Sequence, residues 1–135
     1  MASIRKEFSI AAGADAVWQA LRAVGEVQRF VPGFVTDCRM DGDDARIVTF
    51  ANGFVTRELI VDVDDKARRV AYSARSERLQ HHSASFQVFE EGPARCRVLW
   101  IADVLPHAAA ATVGAMMEQG AAVMSSTLAG HSRAA

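Results

Sequence analysis

Apolar residues recur with two different periods along this chain, and the points where the period changes divide it into elements. Ile4, Phe8 and Ile10 alternate with Arg5, Glu7 and Ser9. This is the pattern of a half-buried strand, running from Met1 and ending at Ala11-Ala12-Gly13. Over residues 14–24 the spacing is helical: Val17, Leu21 and Val24 share a stripe with Trp18 beside it, and Gly25 ends the run. Asp15, or the turn before it, is placed to cap this helix. Residues 27–31 read as one further helical turn, halted by Pro32-Gly33.

The period then returns to two. Residues 35–40 and 45–50 are predicted strands, joined by the turn residues Asp41-Gly42-Asp43-Asp44. Asn52-Gly53 predicts a two-residue hairpin turn, because both residues accept positive φ, and it leads into a long strand over 54–63. Further strands are expected at 69–75, 82–88 and 97–104, separated by turns or loops at 64–68, 76–80 and Glu91-Gly92-Pro93. After Pro106 helical spacing resumes over 108–129. Val113, Met117, Gly120 or Ala121, Met124 and Leu128 form its apolar face, widened by Met116 and Val123. His131 to Ala135 carry no pattern and are expected to fray. The class predicted is α+β, a curved antiparallel sheet of about seven strands around a long C-terminal helix, with two short helices after the first strand. One domain covers residues 1–130.

Composition narrows the function classes. A chain of 135 residues can bury a core without disulfides or metal. The formal net charge is -1 and basic residues are not clustered, so neither nucleic acid nor an acidic membrane is an expected partner. No apolar run approaches the roughly 20 residues of a membrane span. Met-Ala-Ser-Ile-Arg-Lys-Glu lacks the apolar stretch of a signal peptide. Cys38 and Cys96 stand far apart without metal-ligand spacing, which points to free thiols and a cytoplasmic location. The four histidines are not spaced as a metal set. The HExxH, CxxC, GxSxG and glycine-rich phosphate-binding patterns are absent, so no metal or cofactor is expected.

The order of elements resembles the helix-grip fold of START lipid-transfer domains, birch-pollen-type allergens, and polyketide cyclase/dehydrase proteins, together called the SRPBCC superfamily. Ala14-Asp15-Ala16-Val17-Trp18 looks like the family's opening helix, and Phe30-Val31-Pro32-Gly33 is similar to its aromatic-x-Pro-Gly segment. Arg57-Glu58-Leu59 with residues 64–72 resembles its long hairpin, and Val98-Leu99-Trp100 followed by Asp103 and Leu105-Pro106 its exit from the last strand. The resemblance spans residues 4–128 and implies a pocket between sheet and helix. It fixes the fold far better than the function.

Candidate lining residues follow from both arguments. Met116, Met117 and Met124 are flexible and polarizable, suited to irregular apolar shapes, and would face Tyr72, Phe86, Val88 and Trp100 from the sheet. Alternation groups Arg57 with Leu59, Val61 and Val63 and so favours Arg57 inside; the resemblance instead favours an inward Glu58. Whichever charge is buried needs a partner. His82 shares its face with Ala84 and Phe86, making it the best inward titratable group, able to hold a carbonyl or move a proton. Arg78 lies in a stretch resembling the latch loop of abscisic-acid receptors, while Phe30 and Phe34 flank the other side of the expected mouth.

The function expected is binding of a small hydrophobic molecule (lipid, polyketide or aromatic) by a monomer or homodimer, for transport, sequestration or sensing. A cofactor-free cyclase or dehydratase using His82 with Glu58 or Arg57 is the alternative. A protein-interaction module is a third reading, and it predicts a filled core with an exposed apolar patch.

Overall fold

The computed structural model describes residues 2–130, so the expectation for His131 to Ala135 lies outside the described residues. The alternating runs are strands: β1 (Ala2–Ile10), β2 (Val35–Met40), β3 (Ala45–Phe50), β4 (Val55–Asp64), β5 (Arg69–Arg75), β6 (His81–Glu90) and β7 (Cys96–Leu105). The helical runs are α1 (Ala14–Arg22) and α2 (Ala110–Leu128), preceded respectively by Gly13 and by a 3-10 turn at His107–Ala109. A second 3-10 turn, Val27–Arg29, connects α1 to β2. The strands form one antiparallel sheet in the order β1-β7-β6-β5-β4-β3-β2, with α2 against it. This is the helix-grip arrangement.

Three local details differ from the sequence reading, and each positions a side chain that matters later. Between Phe50 and Phe54, which a backbone bond joins ahead of β4, the hairpin loop holds three residues, Ala51-Asn52-Gly53. Phe50 N–H donates to Phe54 O at 2.8 Å, and Gly53, at φ 88°, donates to Phe50 O at 2.9 Å. A two-residue turn at Asn52-Gly53 would shift the pairing by one and reverse which faces meet. The register observed sets Val48 opposite Thr56 and Arg46 opposite Glu58.

The second detail is a bulge in β4. Ile60 pairs with Tyr72 and Asp62 with Ala71, so Val61 is an extra residue, 65% exposed. Thr56, Glu58 and Ile60 face inward before the bulge and Val63 after it, because the extra residue switches the parity. Strict alternation therefore grouped Arg57 with Val63 wrongly. Arg57 lies on the outer face, its side chain 54% exposed and bonded to Asp41 Oδ2 at 2.9 Å.

Third, α1 ends at Arg22, earlier than Gly25. The chain leaves helical geometry at Ala23, and the Val24 carbonyl just beyond it accepts Arg46 Nη1–H at 3.0 Å. Trp18 Nε1–H and Arg22 Nε–H both donate to Asp65, fastening α1 to the β4–β5 turn.

Helix α2 has two halves with different surroundings. Met117, Gly120, Ala121, Met124 and Leu128 are buried. At Gly120 an added Cβ would stand 3.2 Å from Trp100 ring atoms and 3.3 Å from Phe34, so the helix there lies directly on the sheet. Met124 and Leu128 join Ile10, Val17, Trp18 and Val98 in a continuous buried cluster. The first half of the helix runs beside β1, where an added Cβ at Gly114 would stand 3.8 Å from Ile4, and its Thr112, Val113, Met116 and Met117 side chains border the cavity.

Candidate functional site

A cavity of about 740 Å³ lies between the first half of α2 and the sheet. Phe34, Phe50, Tyr72 and Trp100 form its sheet wall, and Val113, Met116 and Met117 its helix wall. Its mouth is bounded by the β3–β4 hairpin loop, the loop after β5 and the segment from Pro106 to Thr112. Across that mouth the Arg78 guanidinium stands 5.9 Å from the Phe54 ring centroid.

The floor carries Glu58, one half of a buried ion pair. Arg46 Nε–H donates to Glu58 Oε1 at 2.9 Å, with side chains only 6% and 10% exposed. Thr56 Oγ1–H donates to Glu58 Oε2 at 3.4 Å, so both carboxylate oxygens are engaged. The guanidinium also lies 4.9 Å from the Tyr72 ring centroid. Above it, Trp100 Nε1–H donates to Tyr72 Oη at 3.0 Å. Burial, aided by the neighbouring Glu58 charge, raises the Tyr72 phenol well above its ordinary pKa, so it remains a neutral O–H. That proton has no acceptor among the described residues.

His82 sits where the sheet divides. Pairing between β5 and β6 stops at Tyr72 opposite Ala84, although β5 continues to Arg75 and β6 begins at His81. The imidazole bridges the opening: Ala74 N–H donates to His82 Nδ1 at 3.1 Å. A backbone N–H can only donate, so Nδ1 carries the lone pair and the proton of the neutral ring is on Nε2. Burial lowers the His82 pKa, against an opposing pull from Glu58.

The residues singled out from sequence divide into two groups. Glu58, Tyr72, Arg78, His82, Trp100, Met116, Met117 and Phe34 border the cavity. Arg57 does not, for the reason given by the bulge. Phe30 and Met124 are packed in the core at 4% and 1% exposure, because the chain before Pro32 and the second half of α2 both close on the sheet. Phe86 is stacked between Tyr72 and Trp100, with centroid distances of 6.0 and 4.5 Å, and Ala84 is too short to extend past its neighbours; neither forms part of the wall. Arg46 was missed. Its alternation with Val48 and Phe50 was a signal that it faces inward, but it identifies the partner of Glu58 only once the loop length is known.

Two predictions follow from the floor and from His82. Arg46→Met leaves a buried carboxylate without its partner and should cost about 3–5 kcal/mol in urea denaturation, most of it recovered in the Arg46→Met/Glu58→Leu pair. A single-variant loss below about 1 kcal/mol would contradict a buried pair. For His82, the unfolded ring has the ordinary pKa of 6.5 and the folded ring a lower one, so unfolding takes up a proton in that window. Stability should fall as pH drops from 6.5 toward the native value, and by more than in His82→Asn, whose side-chain oxygen can accept the Ala74 N–H without titrating. Equal losses in both proteins would contradict a buried, neutral His82.

Comparison with known proteins gives this arrangement a family. The model for "Polyketide cyclase / dehydrase and lipid transport" proteins matches residues 1–129. No curated protein matches the sequence. An uncharacterized protein from Bacillus thuringiensis superimposes with a TM-score of 0.84 at 17% identity, covering 93% of this chain and 97% of that one. A START superfamily protein from Mycobacterium smegmatis gives 0.72 at 12% identity, covering 98% and 97%. A truncated norcoclaurine synthase from Thalictrum flavum gives 0.71 at 17% identity, covering 93% and 89%. Such identities carry the fold alone. With the family match over nearly its whole length, the chain belongs to the polyketide cyclase/dehydrase and lipid transport family, on a START-like helix-grip fold.

Proposed function

We propose that this chain is one ligand-binding domain over residues 1–130, which holds a small hydrophobic molecule with at least one polar group beneath α2 and does not transform it. The observation that carries the reading is the cavity itself: about 740 Å³, within the range of small-molecule sites, with aromatic rings, methionines and small aliphatic side chains among its walls. Its methionines can conform to an irregular apolar shape. A filled core, the mark of the protein-interaction reading, is not what lies under this helix. Two buried free thiols, Cys38 and Cys96, fit a reducing cytoplasm.

The cyclase or dehydratase alternative draws support from the family's description and from the fold shared with norcoclaurine synthase. It requires a group that can take a proton from the bound molecule. The lone pair of His82 is occupied by Ala74 N–H, and both Glu58 oxygens are bonded to Arg46 and Thr56. Arg57 lies on the other face of the sheet. A base at either position would have to act while these bonds compete for its lone pairs. These bonds favour binding over turnover.

The test uses N-phenylnaphthylamine, a neutral hydrophobic dye whose fluorescence rises when it leaves water. The protein should bind it saturably, one dye per chain. Thr112→Trp places an indole at the mouth from an exposed helix position and should weaken binding about tenfold or more, a change of roughly 1.4 kcal/mol or greater. Binding that does not saturate, or that ignores Thr112→Trp, would contradict occupation of this cavity.

A further inference from the structure

We infer that Trp100 sets the length of molecule the cavity accepts, its indole standing as the end wall that a rigid ligand meets. The inference rests on the ligand-binding reading above and narrows the ligand to a compact ring system. It comes from where the lining stops. On α2 the residues bordering the cavity run from Thr112 at the mouth to Met117. The next buried positions, Gly120, Ala121 and Met124, do not border it. At Gly120 two rings close on the helix: an added Cβ would stand 3.2 Å from Cη2 and Cζ3 of Trp100 and 3.3 Å from Cε2 of Phe34. Thr112 and Gly120 lie on one helix, separated by a rise of about 12 Å, and that rise is the depth offered to a rigid ligand.

The wall is fixed on several sides. One edge of the indole carries Nε1–H, which donates to Tyr72 Oη at 3.0 Å, and the opposite edge meets Gly120. Phe86, which does not border the cavity, stacks on the indole with centroids 4.5 Å apart. Phe34 is held in turn by Phe50, edge to face at 5.5 Å. Turning the indole aside for a longer ligand would break the bond to Tyr72 and lose the stack on Phe86. The side of the cavity is made differently. Met116 and Met117 are unbranched and adapt to the shape beside them. The cavity therefore tolerates variation in ligand width and resists variation in ligand length.

The experiment uses rigid rods, since a flexible chain could curl within the same volume. Stilbene, diphenylbutadiene, diphenylhexatriene and diphenyloctatetraene differ by one vinylene each and are titrated as competitors of bound N-phenylnaphthylamine. Affinity should rise about fivefold or more from stilbene to diphenylbutadiene, whose length matches the helix span, and change less than about twofold per step beyond it. In Trp100→Leu, checked as folded by its thermal melt, the rise should continue for one further step. Phe34→Leu removes the other ring of the same wall and should move the stop in the same direction, so it decides the matter if Trp100→Leu does not fold. Met116→Ala, which widens the side of the cavity, should change affinity for all four rods alike and leave the stop in place. Affinity that climbs through diphenyloctatetraene in the wild type, a stop unmoved in the folded wall variants, a stop moved equally by Met116→Ala, or failure of every rod to displace the dye would each overturn the inference. In those cases a bound dye leaves the hydrophobic-ligand reading standing. Absence of dye binding overturns both.

Discussion

The structure around the cavity is organised by the need to satisfy one buried ion pair. Arg46 and Glu58 are nearly shielded from water, and an isolated charge in that position would be prohibitively costly. Several elements supply what the pair requires. The three-residue hairpin loop sets the two residues opposite each other, Val24 O just beyond α1 accepts from Arg46, and Thr56 covers the second carboxylate oxygen. Tyr72 lies against the guanidinium with its hydroxyl fixed by Trp100. Bonds to these two side chains thus couple β3, β4 and the α1–β2 connection, and reach β5 and β7 through Tyr72.

The same pair shapes what the cavity can do. A free inward carboxylate would be a candidate base; one held by Arg46 and Thr56 is a neutralised floor. His82 is constrained in a similar way from the other side. Where β5 and β6 part, the Ala74 N–H would lack its ladder partner, and the imidazole supplies one. Meeting that backbone demand fixes the tautomer and turns a possible proton acceptor into a donor. Both groups thus already accept hydrogen bonds from the protein itself. Helix α2 completes the device: close contact at Gly120 anchors its second half on the sheet, while the first half forms the roof of the cavity.

Much of the fold was legible because period two and period 3.6 leave distinct signatures, and every strand and helix fell within a few residues of its expected place. What escaped were events of a single residue. Asn52-Gly53 marks a hairpin but does not reveal whether the loop has two residues or three, and that choice decides whether Arg46 meets Glu58. Val61 gives no signal of being a bulge, yet it switches the inward face of β4 and misplaced Arg57. Which apolar residues border the cavity and which fill the core was also hidden. Met117 and Met124 lie on the same helix stripe and are both buried, yet only Met117 borders the cavity. The separation of β5 from β6, and with it the tautomer of His82, leaves no mark in composition or spacing.

The central claim, that the space under α2 holds a small hydrophobic molecule, is tested most directly by native mass spectrometry of the purified protein followed by denaturing extraction. The account predicts an apolar passenger, up to one per chain, released on denaturation, or in its absence a clear thermal stabilisation by members of a panel of polyketides, flavonoids, sterols and fatty acids. A protein that carries no passenger and whose melting temperature is moved by none of these compounds would contradict it.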